Sequence, residues 1–399
     1  MFRETHFNQF NKGKAIIRDY KDGITQCYLI NTKGELLFKF PKNVWADEIE
    51  DDNVIFARHD INGKFDFEAL FDTNGRQLTD FKYLAIVRGD EEGFFEVKNK
   101  ERRHGHITLT GEEAVPCIYD DGSCFEEGVA PEMLNGRWGM VNHKNETVIP
   151  FDYDDICSCN NNRINAKLNG KWGIIDKFNN KLIDFKYDDL LLFLTRECGS
   201  MPAKEGEKWG IIDVFGSVLF GFDYDDCDNL DERGWYKFKQ GDKWAIYSCE
   251  KNDFISPFIY DEIKYFGNGL CEVKKDGKSD CVDDGNTPIS GFKYDYVHHF
   301  YKTNLISFKE NDKTGLMNTG GKILLEAKFE DKIKYTDENL LVWQDKNYSE
   351  YVTDLNMKVI IPKRKCQNFF GGFCSGMIAD YDWGYYNTKG EELKLGFEL

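Results

Sequence analysis

Tryptophan recurs in this chain at a nearly fixed interval. Trp138, Trp172, Trp209 and Trp244 stand 34, 37 and 35 residues apart, in segments such as "KWGIID". A period of this kind constrains a fold strongly, because repeats grow by stacking on their neighbours and not by enlarging one core. Extending the period both ways gives weaker anchors at Cys27, Glu68 and His104, then at Ser279, Thr314, Glu350 and Trp383. That makes eleven repeats, and nine of the ten spacings lie between 33 and 37 residues.

Two further columns support the phase. Four residues after each anchor stand Asn31, Asp72, Thr108, Asn142, Asp176, Asp213, Ser248, Asp283, Asn318, Asp354 and Asn387. All are side chains that bond back to nearby backbone N–H groups and open a turn. Seven residues after the anchor come Gly34, Gly75, Gly111, Asn145, Asn179, Gly216, Asn286, Gly321 and Gly390. Glycine and asparagine are the residues that tolerate positive φ. Asn252 and Asn356 take this role one place late and one place early. A third column, ten residues before the anchor, holds Gly128, Asn162, Gly199, Gly234, Gly269 and Asn304.

One repeat therefore reads as a turn, a first strand, a polar turn, the anchor strand, a second turn and a third strand. An acidic segment such as "YDDL" follows, with a short further strand. No stretch longer than about ten residues has helical periodicity. The composition agrees: aromatics make up 15% of the chain, with 36 Gly and only 8 Pro, which suits strands joined by tight turns. The glycine after the anchor (Gly139, Gly173, Gly210, Gly315, Gly384) points to close approach of another group, and an aromatic of a neighbouring repeat is expected over it.

The unit resembles the WG-repeat family, also called KWG repeats, of mostly bacterial proteins. The resemblance rests on "NGRWGMVNHKNETVIPFDYDDI", "NGKWGIIDKFNNKLIDFKYDDL" and "GEKWGIIDVFGSVLFGFDYDDC". It is weaker in "GDKWAIYSCEKNDFISPFIYDEI" and in later segments. It implies an all-β scaffold with no catalytic residues to carry over. Residues 1–399 are expected to form one array, degenerate over 1–125 and 266–399 and best preserved over 126–265. Eleven blades would exceed the usual ~4–8 of a propeller. An open curved solenoid or superhelix is therefore expected ahead of one or more closed propellers.

Chemistry is sparse. Seven His are present, and no Ser-His-Asp or Cys-His set can be assembled from them. Both phosphate-cradling glycine motifs are absent. "HGH" at His104–His106 would put two rings on one face of a strand, a solvated strand being the plainer reading. Adjacent carboxylates suit calcium, but the spaced oxygen loop of a calcium site is missing. No metal or cofactor is expected. The 12 Cys, with no signal-peptide pattern at the N-terminus, read as reduced thiols in a cytoplasmic protein. No run reaches the roughly 18 apolar residues of a membrane span.

The acidic column is the candidate site. Asp120–Asp121, Asp154–Asp155, Asp188–Asp189, Asp225–Asp226 and Asp261–Glu262 recur in phase, and Asp295 and Glu330–Asp331 continue the series. The plain reading is a turn cap followed by a solvated carboxylate. The functional reading is an acidic stripe that meets a basic partner. The net charge of −18 fits that and disfavours nucleic acid and anionic lipid. The aromatic columns read as core between repeats, with Trp235 and Trp343, outside the anchor column, as exposed contact residues. These features point to a non-catalytic scaffold for protein–protein interaction. The alternatives are an inhibitor or immunity-type protein that masks a basic enzyme or toxin, and a carbohydrate-binding surface module.

Overall fold

The computed structural model describes residues 3–8, 10–21, 23–49, 54–61, 64–87, 89–157, 159–191, 199–230, 234–265, 269–300, 303–330, 332–336, 339–344, 350–364, 373–379, 382–393 and 395. They fall into two compact units. The first holds Met1–Phe125, His143–Glu146 and Lys332–Leu399; the second holds Glu126–Asn142 and Thr147–Asp331. The described residues form 40 strands and no helix, so no helix is long and apolar enough to cross a membrane.

The fold is an all-β repeat array of small antiparallel sheets. Eight sheets have four strands, two have three and one has two among the described residues, and none closes into a barrel. In the second compact unit a typical sheet runs Asp189–Leu190, Ser200–Glu205, Lys208–Asp213 and Val218–Tyr224 in spatial order. The anchor Trp209 lies in the third strand, opposite Tyr224 in the fourth. The same pairing sets Trp138 against Tyr153 and Trp172 against Tyr187. In the first compact unit His104 stands opposite Tyr119 in the same way. The second carboxylate of the pair opens the next sheet: Asp155–Ile156 pairs with Ile164–Leu168, and Asp226–Asn229 with Trp235–Gln240. The acidic segment is therefore the crossing between sheets.

The turn columns behave as their chemistry requires. Asp213 Oδ1 accepts from the amides of Phe215 and Ser217, each at 2.8 Å, and Asp176 makes the matching bonds to Phe178 and Asn180. All nine Gly and Asn at the seventh position have positive φ, as does Asn252. In the Glu350 repeat Met357, and not Asn356, takes the left-handed conformation (φ 65°). The turn there keeps its spacing at the expense of the residue preference.

Sheet faces share apolar clusters. One cluster joins Ile174, Ile183 and Tyr187 to Met201, Trp209 and Ile211, and onward to Tyr236, Phe238 and Tyr247, with Trp172 packed against it. Each sheet is too small to hold a core alone, and this sharing supplies it. In the first compact unit Phe10, Ile17, Tyr28 and Ile30 pack with Tyr385, whose ring lies 4.8 Å from that of Phe10.

The glycine after the anchor is explained differently from the expectation. A Cβ at Gly173 would lie 2.7 Å from the Ile183 carbonyl oxygen and 2.9 Å from Phe185 Cδ1. Gly139 meets Ile149 and Phe151 in the same manner. The crowding group is the fourth strand of the same sheet, which bulges over the glycine, and not a ring of a neighbouring repeat. Trp235 and Trp343 are buried, at 5% and 0% exposure, which corrects the expectation of exposed contact residues. Trp343 Nε1 donates to Thr353 Oγ1 at 2.9 Å.

Candidate functional site

The first carboxylates Asp154, Asp188 and Asp225 each have two partners, and the first kind recurs in the other pairs. One is the cation just before the anchor of its own repeat. Asp120 pairs with Arg103, Asp154 with Arg137, Asp225 with Lys208 and Asp261 with Lys243. Lys171 Nζ lies 2.5 Å from Asp188 Oδ1. Lys278–Asp295 at 2.6 Å and Lys313–Glu330 at 2.5 Å continue the series. Asp331 lies outside the described residues.

The other partner is the hairpin turn of the next sheet. Asp154 Oδ2 accepts from Gly170 N at 2.8 Å, Asp188 Oδ2 from Gly206 N at 2.8 Å and Asp225 Oδ2 from Gly241 N at 2.7 Å. The backbone amides of these aspartates donate to Lys167, Lys204 and Lys239 carbonyls. Each aspartate therefore ties its own sheet to the following one. The Lys171 and Lys208 ammonium groups hold Asp188 and Asp225 below the ordinary carboxylate range, helped by the Gly206 and Gly241 amides. At Asp154 the Gly170 amide contributes most, followed by Arg137. Lys167, Lys204 and Lys239 add a second positive column, with Nζ 5.6–5.9 Å from the Trp172, Trp209 and Trp244 ring centroids. The rim that carries the first carboxylates is thus charge-balanced. Its cations sit 17 or 18 residues ahead of each acid, a regularity visible in the sequence.

The second carboxylates are used more lightly. Asp155, Asp189 and Asp226 each accept from the amide of the next residue at 2.9 Å. Asp121 lies 3.2 Å from Lys98 Nζ, and Glu262 2.8 Å from Lys264 Nζ. Asp226 and Glu262 are exposed; Asp121, Asp155 and Asp189 are half-buried.

A second inter-repeat bond uses the aromatic column. Tyr119, Tyr153 and Tyr260 donate their hydroxyls to Oδ1 of Asn145, Asn179 and Asn286, 26 residues on, at 2.5–2.6 Å. The acceptors are the asparagines of the seventh-position column. Where that column holds Gly216, the hydroxyl of Tyr187 has no hydrogen-bond partner among the described residues.

Other candidates resolve into structure. His104 and His106 are fully buried, which overturns the reading of a solvated strand. Their rings meet edge to face at 4.9 Å, and His104 Nε2 lies 3.3 Å from Glu96 Oε2. Eight described cysteines are free thiols. Cys249 is disulfide-bonded, which departs from the expectation of reduced thiols throughout.

Among the described residues the most exposed large apolar side chains are Phe178 and Phe215, each 80% exposed. They occupy the same place, six residues after the anchor, at the tips of turns in two consecutive repeats. The other nine repeats hold Lys33, Asn74, Thr110, Lys144, Glu250, Gly285, Gly320, Asn356 and Lys389 there. Leu182, Val218 and Leu219 are exposed on the strands that follow the two turns. The sequence carries this signal as an aromatic pair in an otherwise polar or glycine column. It is masked by the abundance of Phe elsewhere in the chain.

Residues 107–138, 138–172, 172–195, 209–244 and 250–278 match the family of WG-containing repeats. These matched stretches lie within residues 107–278, and small antiparallel sheets continue on either side of that segment. No curated protein sequence matches the chain. Among solved structures, a eukaryotic initiation factor overlaps 80% of this chain and 97% of its own, at 11% identity and a TM-score of 0.46. Kluyveromyces lactis Hsv2p overlaps 58% of this chain and 91% of its own (10% identity, TM-score 0.28), and the C-terminal WD40 domain of Sif2 overlaps 69% and 93% (9% identity, TM-score 0.30). Overlaps at this level carry no functional inference.

Proposed function

We propose that the chain is a non-catalytic scaffold that binds a protein partner through the turn tips of its central repeats. The observation that carries this reading is the pair Phe178 and Phe215. Two large apolar rings held at equivalent tips of adjacent repeats cost solubility and contribute nothing to the core. Exposed aromatic anchors of this kind are what protein interfaces concentrate. The exposed carboxylates Asp226 and Glu262 add a salt-sensitive attraction for a basic partner. The paired carboxylates Asp154, Asp188, Asp225 and Asp261 serve mainly to join successive sheets, and Asp120 pairs with Arg103. Masking of a basic enzyme is a special case of the same surface, favoured by the net charge of −18.

The test is affinity purification from the native host with the wild type and a Phe178→Ser/Phe215→Ser variant. Both side chains are solvent-facing, so the variant is expected to keep the wild-type thermal midpoint and to lose its retained partner. Retention of the same partner at the same level by the folded variant would remove the basis of the reading.

A further inference from the structure

In the eight four-stranded sheets the fourth strand is an edge strand, with one side unpaired by any strand among the described residues. Exposed edges invite pairing with other chains, and proteins blunt them with proline or charge. Six fourth strands here have six or seven residues: Glu113–Tyr119, Thr147–Tyr153, Lys181–Tyr187, Val218–Tyr224, Ile323–Phe329 and Val359–Arg364. Their fourth residues, twelve after the anchor, are Pro116, Pro150, Asp184, Gly221, Glu326 and Pro362. Five of the six carry a blocking residue at the centre. Only "VLFGFDY", Val218–Tyr224, has glycine there.

That strand is also the most inviting in other respects. It starts three residues after Phe215, and Val218 and Leu219 are 51% and 44% exposed. Its one charge, Asp223, is exposed and has no ion-pair partner among the described residues. The adjacent edge Lys181–Tyr187, by contrast, carries lysine at both Lys181 and Lys186, and its Asp184 lies 2.6 Å from Lys181 Nζ.

We infer that Val218–Tyr224 is a strand-addition site, which takes an extended segment of the partner protein as a fifth strand of its sheet. Backbone hydrogen bonds to the open edge supply affinity, and alternate side chains supply selectivity. The segment is apolar where it meets Phe215, Val218 and Leu219, and basic where it meets Asp223. A second copy of this chain is the poorer occupant, since each copy carries a net charge of −18 and would bring a like-charged edge. The inference rests on the scaffold reading and specifies the geometry of its contact.

The probe is a labelled, end-blocked peptide of alternating valine and lysine, with binding followed by fluorescence anisotropy. The wild type is expected to bind it saturably. Gly221→Pro copies the blocking residue of the sibling strand Thr147–Tyr153, and it is expected to weaken binding by about tenfold or more with an unchanged thermal midpoint. A probe N-methylated at alternate residues keeps its charge and side chains but cannot pair as a strand, so it is expected not to bind the wild type. Strand addition is overturned by absence of probe binding, by equal binding of the methylated probe, or by undiminished binding to folded Gly221→Pro. It is also overturned if the wild type dimerises through this edge and Gly221→Pro is monomeric. Should the probe fail while Phe178→Ser/Phe215→Ser still releases the native partner, the scaffold reading stands and strand addition alone falls. Probe binding together with partner retention by that double variant would leave the strand-addition edge standing and remove the two phenylalanines as anchors.

Discussion

Alanine at Gly173 is expected to destabilise the second compact unit by about 2–3 kcal/mol, the cost of forcing atoms into a packed site. The added methyl would meet the Ile183 carbonyl oxygen at 2.7 Å, and that atom belongs to backbone held in the sheet. A flexible side chain could swing away; a ladder carbonyl cannot. The chain contains its own control at Ala245, which occupies the same position after Trp244. There the native chain already accommodates the methyl, and the fourth strand is only Asp253–Phe254. Ala245→Gly should therefore cost about 0.5–1 kcal/mol through backbone entropy, with no relief of crowding. Urea denaturation monitored by circular dichroism reads both variants. A Gly173→Ala protein with the wild-type midpoint would show that the bulge is not rigid.

Asn179→Ala is expected to cost about 1–3 kcal/mol, because it leaves the buried Tyr153 hydroxyl without its acceptor. Tyr153 is 6% exposed, and burial raises its pKa above the usual phenol value, with Asp152 adding to the effect. The comparison is Tyr187→Phe. That hydroxyl has no partner among the described residues, and Gly216 stands where an asparagine accepts in the sibling repeats. Its removal should be neutral or stabilising, whereas Tyr153→Phe should destabilise. Equal effects of the two tyrosine variants on the thermal midpoint would show that the bonds between repeats contribute nothing.

The all-β repeat architecture was legible because its turns are written in a small alphabet. An Asp or Asn at the fourth place and a Gly or Asn at the seventh leave a hairpin few alternatives. The phase persists even where the anchor changes, as at Glu68 or Thr314. The role of the glycine beside the anchor was hidden, although the correlation is present in the chain. Gly105, Gly139, Gly173, Gly210 and Gly315 all belong to sheets with a seven-residue fourth strand, while the sheet of Gly384 has only two strands among the described residues. Repeats with Tyr28, Ala69, Ala245, Asp280 or Tyr351 there have a shorter fourth strand or none among the described residues. Trp235 and Trp343 misled for a related reason. Each lies in the second strand of its sheet, whose early residues are covered on both faces, as in Ser200–Glu205 and Leu305–Glu310. A column outside the anchor was not a column outside the core.

The acidic pairs were legible as a repeated feature but not in their roles. Periodicity marks Asp188 and Asp189 equally, yet one bridges Lys171 and the Gly206 amide while the other, among the described residues, accepts only from the next residue's amide. The cations at Arg103, Arg137, Lys171, Lys208 and Lys243 separate those roles, because their spacing to the first acid is nearly constant. Phe178 and Phe215 required accessibility, since a phenylalanine in a chain with 32 of them reads as core.

The location of the contact is the central point, and hydrogen exchange with and without the purified native partner measures it directly. Slowed exchange is expected in the turns that carry Phe178 and Phe215 and along Val218–Tyr224. The hairpin turns at Gly170, Gly206 and Gly241, which are already tied to aspartates, should exchange as before. Protection confined to those hairpin turns and the paired-carboxylate rim, with no change around Phe178 and Phe215, would contradict that location of the contact.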